Sequence, residues 1–270
     1  MEKLAIVKTT IGPLKQKAGF HEEAADESIL GRLVTILEKK ENGWYLVETD
    51  YKYKSYIHES HLLIDTDRAI KWDEEANHVI TWGIVDVMKE PKYQSYSIGM
   101  LTRGAVIKLT GKENDKWIEV ELPTEEKGWI RENFVMDRVR AGGEIKEEEL
   151  RKKVVETALS YMGTQYRWGG KTPLGIDCSG LCSISYLLNG IIIYRDAHVK
   201  EEFGMKEITM EDIKIGDMLY WPGHVAMYIG DDRYVHSTGA SSGVVINSLN
   251  PKHDDYREDL AKVKQIATVF

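Results

Sequence analysis

The chain has 270 residues, of which 42% are hydrophobic and 30% are charged, a composition typical of a folded protein with a sizeable core. Its 36 basic and 44 acidic residues give a formal net charge of −8 without a long basic tract, so a nucleic-acid partner is not expected. The only two cysteines, Cys178 and Cys182, cannot build a disulfide framework or complete a four-ligand zinc site, and no metal, cofactor or obligate protein partner is indicated.

The N-terminal sequence does not indicate export. Residues 1–8 lack the uninterrupted apolar core of a signal peptide, and no later stretch approaches the roughly 20 apolar residues of a membrane span. We therefore expect a cytoplasmic protein with no membrane partner. This expectation takes Met1 as the native start, because a chain from which an export signal had been trimmed would look the same.

The first half of the chain contains an internal repeat with an offset of 73 residues. The matching segments are 31–36 with 104–109, 42–48 with 115–121, and 56–59 with 129–132. Each copy has short runs rich in Val, Ile, Tyr and Trp, interrupted by Gly, Asn and Asp, as is typical of small all-β barrels. We predict one barrel at 1–66 and a second at 78–137. Residues 67–77 are predicted to form a polar connector or a short helix.

The two copies resemble bacterial SH3-like domains. In that family a Gly-Trp strand is followed by a Tyr-x-Gly-Trp-Ile-like turn into the last strand. The second copy follows this pattern closely at 127–130, whereas the first copy has Ser55 and Tyr56 in place of Gly and Trp. A Trp on a short alternating strand belongs more often to a core than to a ligand cage. Core positions are therefore expected for Trp44, Trp117 and Trp129.

A helix is predicted to open the C-terminal domain, which we place at 141–270. Three glutamates at 147–149 lie where the helix dipole favours negative charge, and Gly163 follows the predicted end. The residues at helical spacing are Leu150, Val154, Val155, Ala158, Leu159 and Met162. Because no side chain on this apolar stripe is chemically reactive, the helix is expected to serve packing.

The next predicted helix starts at a cysteine. A Gly-rich segment and Asp177 precede Cys178, and Asn189 with Gly190 ends the helical pattern like a C-cap. Unpaired N–H groups and the dipole at a helix start favour an anion, so we expect a stabilised thiolate and a nucleophile competent near neutral pH. Cys182 lies one turn further on the apolar side, where buried packing is expected.

A nucleophilic cysteine needs a proton acceptor, and histidine, with an unperturbed pKa of ~6.5, suits this role. His224 opens an apolar run typical of a central strand, and His236 lies on the next strand after a turn. The two side chains can face the same side of neighbouring antiparallel strands, although the sequence does not fix the register. A second histidine of this kind can hold the ring of a catalytic one. His198, in a charged stretch, is a weaker candidate.

Four segments carry a more specific resemblance: YRWGG at 166–170, DCSG at 177–180, PGHVAMYIG at 222–230 and YVH at 234–236. They resemble, in order, the NlpC family of cell-wall cysteine peptidases. With two SH3-like copies ahead of that domain, the chain is similar to the γ-D-glutamyl-L-diamino acid endopeptidases, also called dipeptidyl-peptidase VI. This resemblance implies an α+β fold with a papain-like C-terminal domain. It also implies cleavage between the γ-carboxyl of D-glutamate and a diamino acid in murein peptides.

The same resemblance implies roles for single residues. Cys178 is the nucleophile, His224 the base and His236 the third polar member, with the Cys178 N–H at the oxyanion. In murein-recycling members the first SH3-like domain closes the cleft and selects a free amino terminus on L-alanine. The implied substrate-binding residues are Tyr166, Trp168, Asp177 and Ser179 in the cleft, Asp196 in a segment whose Ala197 departs from the family's Ser, and Glu27 and Tyr53 in the first SH3-like domain.

The sequence leaves several classes of function open. The leading hypothesis is a peptidase of murein recycling that releases L-Ala-D-Glu from free murein peptides. A second is an exported endopeptidase that acts on polymeric peptidoglycan and uses its SH3-like domains as wall anchors. A third is a non-catalytic wall-binding protein, which the presence of Cys178, His224 and His236 disfavours. An acyltransferase on the same fold is also open, since a thioester can pass its acyl group to an amine as well as to water.

Overall fold

The computed structural model describes residues 3–140 and 146–270, so the start predicted for the C-terminal domain at 141 lies outside the described residues. The chain divides into two compact units, residues 1–138 and 139–270. Within the described ranges, no helix is both long enough and apolar enough to cross a membrane.

The N-terminal unit begins with a seven-stranded sheet in the order β3-β2-β6-β5-β4-β1-β7. Its strands are β1 (Lys3–Val7), β2 (Ile11–Lys15), β3 (Ala24–Ile29), β4 (Leu33–Lys39), β5 (Trp44–Thr49), β6 (Lys54–His58) and β7 (Leu62–Leu63). Neighbouring strands run antiparallel, and Asn42 and Gly43 make the turn between β4 and β5 at positive φ. The sheet folds around a cluster of buried apolar side chains that includes Leu14, Val47 and Ile57.

A second sheet of the same unit repeats this topology. Its strands are β8 (His78–Ile80), β9 (Ile84–Met88), β10 (Ser97–Thr102), β11 (Val106–Asn114), β12 (Trp117–Glu121), β13 (Lys127–Arg131) and β14 (Val135–Asp137). The order β10-β9-β13-β12-β11-β8-β14 matches that of the first sheet strand for strand. The repeat in the sequence is therefore a repeat of strand order, and each copy buries its own apolar face.

Helix α1 (Thr66–Glu75) lies between the two sheets in the chain. Its N-cap Asp65 accepts a hydrogen bond from the N–H of Arg68 at 3.1 Å. On its inner face, the indole Nε1 of Trp72 donates to the carbonyl of Gly31 at 2.9 Å. Gly31 has a φ of 81°, and a Cβ there would lie 2.0 Å from the carbonyl oxygen of Val106, so this close approach requires glycine.

An aromatic contact also recurs at equivalent positions of the two copies. The ring centroids of Phe20 and Trp44 are 5.1 Å apart at 66°, and those of Tyr93 and Trp117 are 5.1 Å apart at 64°. Both tryptophans are buried, which confirms their predicted core positions. Trp129 is only half-buried, so it does not occupy the fully buried core position that was predicted for it.

The C-terminal unit combines two long helices with an antiparallel sheet in the order β17-β22-β18-β19-β20-β21. Helix α3 packs against both α2 and the central strands β19 and β20. The elements are α2 (Glu147–Leu159), β15 (Lys171–Thr172), β16 (Gly175–Ile176), α3 (Cys178–Leu187), β17 (Lys206–Glu207), β18 (Met218–Trp221), β19 (His224–Gly230), β20 (Arg233–Thr238), β21 (Gly243–Ser248) and β22 (Gln265–Thr268).

Helix α2 departs from its prediction at two positions. Met162 was expected on the apolar stripe, but the helix ends at Leu159 and Met162 is exposed. Arg151 lies outside the predicted apolar stripe, yet its guanidinium is buried inside the unit, where it donates to Asp217 Oδ1 at 2.7 Å. A charge at such a position is tolerated because it is paired with a buried carboxylate.

Candidate active site

Cys178 is the first residue of α3, and the side chain of the preceding Asp177 caps this helix. The Oδ1 of Asp177 accepts a hydrogen bond from the N–H of Gly180 at 2.6 Å. A Cβ at position 180 would lie 2.1 Å from the carbonyl oxygen of Gly170, so only glycine lets the helix start approach this segment. The predicted helix start at Cys178 is confirmed, and Cys178 is buried with 7% of its surface exposed.

A buried ion pair lies beneath the helix start. Arg195 donates from Nη1 to Oδ1 and from Nη2 to Oδ2 of Asp177, both at 3.1 Å, and from Nη1 to the hydroxyl of Ser179 at 2.7 Å. The Oδ2 of Asp177 also accepts from the N–H of Gly169 at 2.8 Å. Asp177 and Ser179 are predicted to contact substrate, and in the structure the side chains of both also accept hydrogen bonds from Arg195. They therefore hold the loop and the first turn of α3 in place.

His224 and His236 face one another from neighbouring strands. Met227 pairs with Val235, a register that puts positions 224 and 236 on the same face of the sheet. The Nε2 of His224 is 2.7 Å from the Nδ1 of His236. The Sγ of Cys178 interacts with the backbone N–H that follows His224 in β19, so the structure brings all three predicted catalytic residues together.

Asn247 extends this set and was not anticipated from the sequence. Its Oδ1 lies 2.9 Å from the Nε2 of His236, and its Nδ2 donates to the backbone carbonyl of Asp255 at 3.0 Å. His236 in β20 pairs with Val245 in β21, so Asn247, two residues after Val245, lies diagonally opposite His236 on the same face of the sheet. A polar residue among the apolar positions of β21 was the available signal, but its meaning depends on the strand register.

Burial is the largest influence on the thiol of Cys178 and raises its pKa, and the neighbouring Asp177 carboxylate adds to this shift. The backbone N–H groups of Ser179 and Val225 and the guanidinium of Arg195 oppose it. The expectation that the helix start stabilises Cys178 as a thiolate is therefore wrong for the free protein. Desolvation of the thiolate outweighs the helix N-terminus, and ionisation requires a base.

Burial also favours neutral imidazoles in the histidine pair. It lowers the pKa of His224 to about 4, and the proximity of His236 adds to the shift. It lowers the pKa of His236 to about 4 as well, against the hydrogen bond to Asn247, which favours the charged form. Near neutral pH both rings are therefore uncharged, and an unprotonated ring nitrogen is available as a proton acceptor.

Three further predicted residues lie in the C-terminal unit. Burial raises the pKa of Tyr166 to about 12, with a smaller contribution from Cys178, so its hydroxyl remains a donor beside the nucleophile. Trp168 is 59% exposed and is thus open to a ligand. Asp196 is half-buried and hydrogen-bonds with Tyr194, whose pKa rises to about 12 through burial and this carboxylate.

Glu27 and Tyr53 lie in the first of the two sequence repeats of the N-terminal unit. Both are buried, with 7% of each exposed, so neither is a solvated surface residue. Glu27 lies in β3, and Tyr53 precedes β6, where its N–H donates to the Oγ1 of Thr49 at 3.0 Å. In the neighbouring positions along the chain, the hydroxyl of Tyr51 donates to the Oδ2 of Asp26 at 2.5 Å. Asp26 and Tyr51 are a second acid and hydroxyl pair that the sequence did not single out.

In the described part of the chain, no group of three or more His, Cys, Asp or Glu side chains is placed so that it could hold a metal ion.

Known proteins resemble this chain in sequence and in overall fold. A model of the NlpC/P60 family matches residues 163–262. Dipeptidyl-peptidase 6 from Lysinibacillus sphaericus is 43% identical to this chain, and the alignment covers 98% of this chain and 99% of the relative.

The chain belongs to the NlpC/P60 family.

Two further matches extend this assignment. A γ-D-glutamyl-L-lysine dipeptidyl-peptidase from Bacillus cereus is 27% identical over 83% of this chain and 70% of the relative. A crystal structure of an NlpC/P60 family protein from Bacillus cereus is 21% identical and has a TM-score of 0.78, covering 97% of this chain and 98% of that one. The structural match confirms the predicted fold class, and the relatives of the NlpC/P60 family confirm the prediction of a peptidase.

Proposed function

We propose that the chain is a cysteine peptidase that hydrolyses the bond between the γ-carboxyl of D-glutamate and a diamino acid in murein peptides. The observation that carries this proposal is the juxtaposition of Cys178, His224 and His236 in a chain 43% identical to dipeptidyl-peptidase 6 over nearly its full length. The name of the Bacillus cereus relative, a γ-D-glutamyl-L-lysine dipeptidyl-peptidase, supports the same class of bond.

The proposed acylation begins with transfer of the Sγ proton of Cys178 to His224. The thiolate attacks the γ-carbonyl carbon of D-glutamate and forms a tetrahedral intermediate. Its oxyanion lies at the start of α3, where the first-turn N–H groups have no partners within the helix. As the intermediate collapses, the C–N bond breaks and His224 returns the proton to the leaving amine of the diamino acid.

Deacylation repeats these steps with water. His224 accepts a proton from a water molecule, the resulting hydroxide attacks the thioester carbonyl, and the C–S bond breaks. The released thiolate recovers the proton from His224, and L-Ala-D-Glu leaves. His236 keeps its hydrogen bond to His224 at 2.7 Å throughout, which holds the ring in place while its charge changes.

The burial of the site explains why a base is needed at all. Because burial raises the pKa of Cys178 and lowers that of His224, the separated charges are disfavoured until substrate is present. With substrate bound, His224 accepts the Sγ proton before the sulfur attacks, and a neutral His224 is the required starting state.

The proposal further includes selection for a free N-terminal L-alanine, as in peptide recycling. An ammonium group is recognised by carboxylates and hydroxyls, and the half-buried Asp196 of the C-terminal unit supplies a carboxylate. Acylation of the amine removes its charge, so the recognising carboxylate loses its ionic attraction to the ligand. This costs about 3–5 kcal/mol, by analogy with a broken buried ion pair. Recycling and the cytoplasmic location stay predictions.

The test uses three substrates for the full-length protein: free L-Ala-γ-D-Glu-diamino acid, its N-acetylated form, and intact wall sacculi. The products are identified by mass. We expect L-Ala-D-Glu from the free peptide, and a kcat/KM lower by roughly two to four orders of magnitude for the acetylated peptide. Sacculi should resist cleavage because the lactyl group of muramic acid already acylates this nitrogen.

Comparable cleavage of the free and acetylated peptides would refute the selection and favour a wall endopeptidase. Cleavage of neither peptide would refute the proposed bond. Asp196→Asn should narrow the difference between the two peptides because it removes the charge that attracts the amine. Asp212→Asn, a matched change at an exposed aspartate of the same unit, should leave the difference unchanged.

A further inference from the structure

The hydrogen bonds around His236 continue beyond the predicted catalytic residues. Asn247 contacts the Nε2 of His236 through Oδ1 at 2.9 Å, and its Nδ2 contacts the carbonyl oxygen of Asp255 at 3.0 Å. That carbonyl also accepts the N–H of Ser248 at 2.9 Å, so its position is fixed by the backbone of β21.

This geometry fixes the orientation of the Asn247 amide. The backbone carbonyl of Asp255 can only accept, so the atom that faces it must be the donor Nδ2. The other atom, Oδ1, is then the one that faces His236, and a carbonyl oxygen can only accept. The Nε2 of His236 must therefore carry a hydrogen.

The same logic extends to His224. A neutral imidazole has one N–H and one lone pair, so a hydrogen on Nε2 of His236 leaves its Nδ1 as an acceptor. The Nε2 of His224, 2.7 Å away, must then donate to it. This leaves the lone pair of His224 on Nδ1, the ring nitrogen that does not face His236.

An ion pair holds Asp255, the residue whose backbone carbonyl accepts from Asn247. The Nε of Arg233, the first residue of β20, donates to the Oδ2 of Asp255 at 3.0 Å. A parallel bridge between Ser248 and Tyr256 holds the following residue against the end of β21. The loop that presents the carbonyl is therefore attached to the strands that carry His236 and Asn247.

We propose that Asn247, oriented by the carbonyl of Asp255, is a positioning residue that sets the tautomer of both histidines and makes Nδ1 of His224 the base. This inference rests on the proposed function only for the use of that base. The tautomers themselves are a property of the free protein and can be measured without substrate.

The experiment is ¹⁵N NMR of the imidazole groups in the full-length protein near neutral pH, together with steady-state kinetics. In the unmodified protein we expect Nε2 to be protonated and Nδ1 unprotonated in both His224 and His236. Asn247→Leu removes the acceptor and should give a mixture of tautomers for His236. Asn247→Asp retains an acceptor and should retain the original tautomer.

The kinetic expectation separates positioning from substrate binding. In Asn247→Leu, kcat should fall roughly 10- to 100-fold, the range for loss of a group that orients a functional histidine, while KM changes little. Asn247→Asp should recover part of kcat. Asn250→Leu is the matched control, because the Asn250 side chain donates to Asp232 and contacts neither histidine.

An unprotonated Nε2 on His236 in the unmodified protein would overturn the inference, even if the γ-D-glutamyl bond is cleaved. Unchanged tautomers and kcat in Asn247→Leu would also overturn it. Failure to cleave the γ-D-glutamyl bond with the expected tautomers present would instead refute the proposed function and leave the assignment of the ring nitrogens standing.

Discussion

Replacing Arg195 with alanine should strongly destabilise the C-terminal unit. The carboxylate of Asp177 is buried and accepts two hydrogen bonds from Arg195, each at 3.1 Å, and two from the backbone N–H groups of Gly169 and Gly180. Without Arg195 the backbone bonds remain, but the negative charge loses its counter-ion. Breaking a buried pair from one side costs about 3–5 kcal/mol, because the remaining charge is uncompensated.

The rate at which a thiol reagent labels Cys182 measures this loss of stability. Cys182 is fully buried in α3, and burial raises its thiol pKa far above the usual range, so a thiol reagent reaches it only after the unit opens. In a Cys178→Ala background Cys182 is the only thiol of the chain. The Arg195→Ala change should then accelerate labelling of Cys182 by roughly two to four orders of magnitude, since each 1.4 kcal/mol corresponds to about tenfold.

Two comparisons sharpen this test. Lys152→Ala removes an exposed ion pair with Glu148 in the same unit, and less than a threefold change in labelling is expected because solvent screens this pair. Adding Asp177→Asn to Arg195→Ala removes both charges and should recover part of the protection. A less than tenfold acceleration in Arg195→Ala alone would refute the reasoning that the pair supports the start of α3.

Three further predictions concern the reacting residues. Cys178→Ala should abolish turnover whereas Cys182→Ala should not, and inactivation by iodoacetamide through Cys182 with Cys178 unlabelled would contradict this assignment. His224→Ala should be as damaging as loss of Cys178, whereas His236→Gln should retain part of kcat because it keeps a hydrogen-bonding group; a complete loss in His236→Gln would indicate that His236 is the base. The pKa values of both histidines, lowered to about 4 from an unfolded value near 6.5, mean that the unfolded chain binds more protons in this window. The stability of the C-terminal unit should therefore fall as pH is lowered from about 6.5 to 4, and the Tm of His236→Gln should depend less steeply on pH than that of the unmodified protein.

Local chemistry made the start of α3 predictable. Asp177, Cys178 and Gly180 are close in sequence, and the capping interaction that places the cysteine spans only three residues. The shared face of His224 and His236 followed from two apolar strands and the short turn between them, once the register was known. These features depend on contacts between neighbouring segments, which a sequence pattern can encode.

Other features depend on contacts that no local pattern specifies. Arg195 reaches Asp177 across 18 residues, and Asn247 gains its role from a backbone carbonyl in the loop after β21. The raised pKa of Cys178 was missed for the same reason, because the helix start is visible in the sequence but its burial is not. Desolvation by distant elements then outweighs the local effect of the helix N-terminus.

The most direct measurement of the central claim is the identity of the covalent intermediate. The full-length protein is mixed with L-Ala-γ-D-Glu-diamino acid, quenched in acid within a single turnover, and examined by peptide mapping and mass. We predict an L-alanyl-D-glutamyl group on Cys178, joined as a thioester through the γ-carboxyl, with the diamino acid released in equal amount. An acyl group on Cys182, one that retains the diamino acid, or release of the diamino acid without any acyl group on Cys178 would contradict the account.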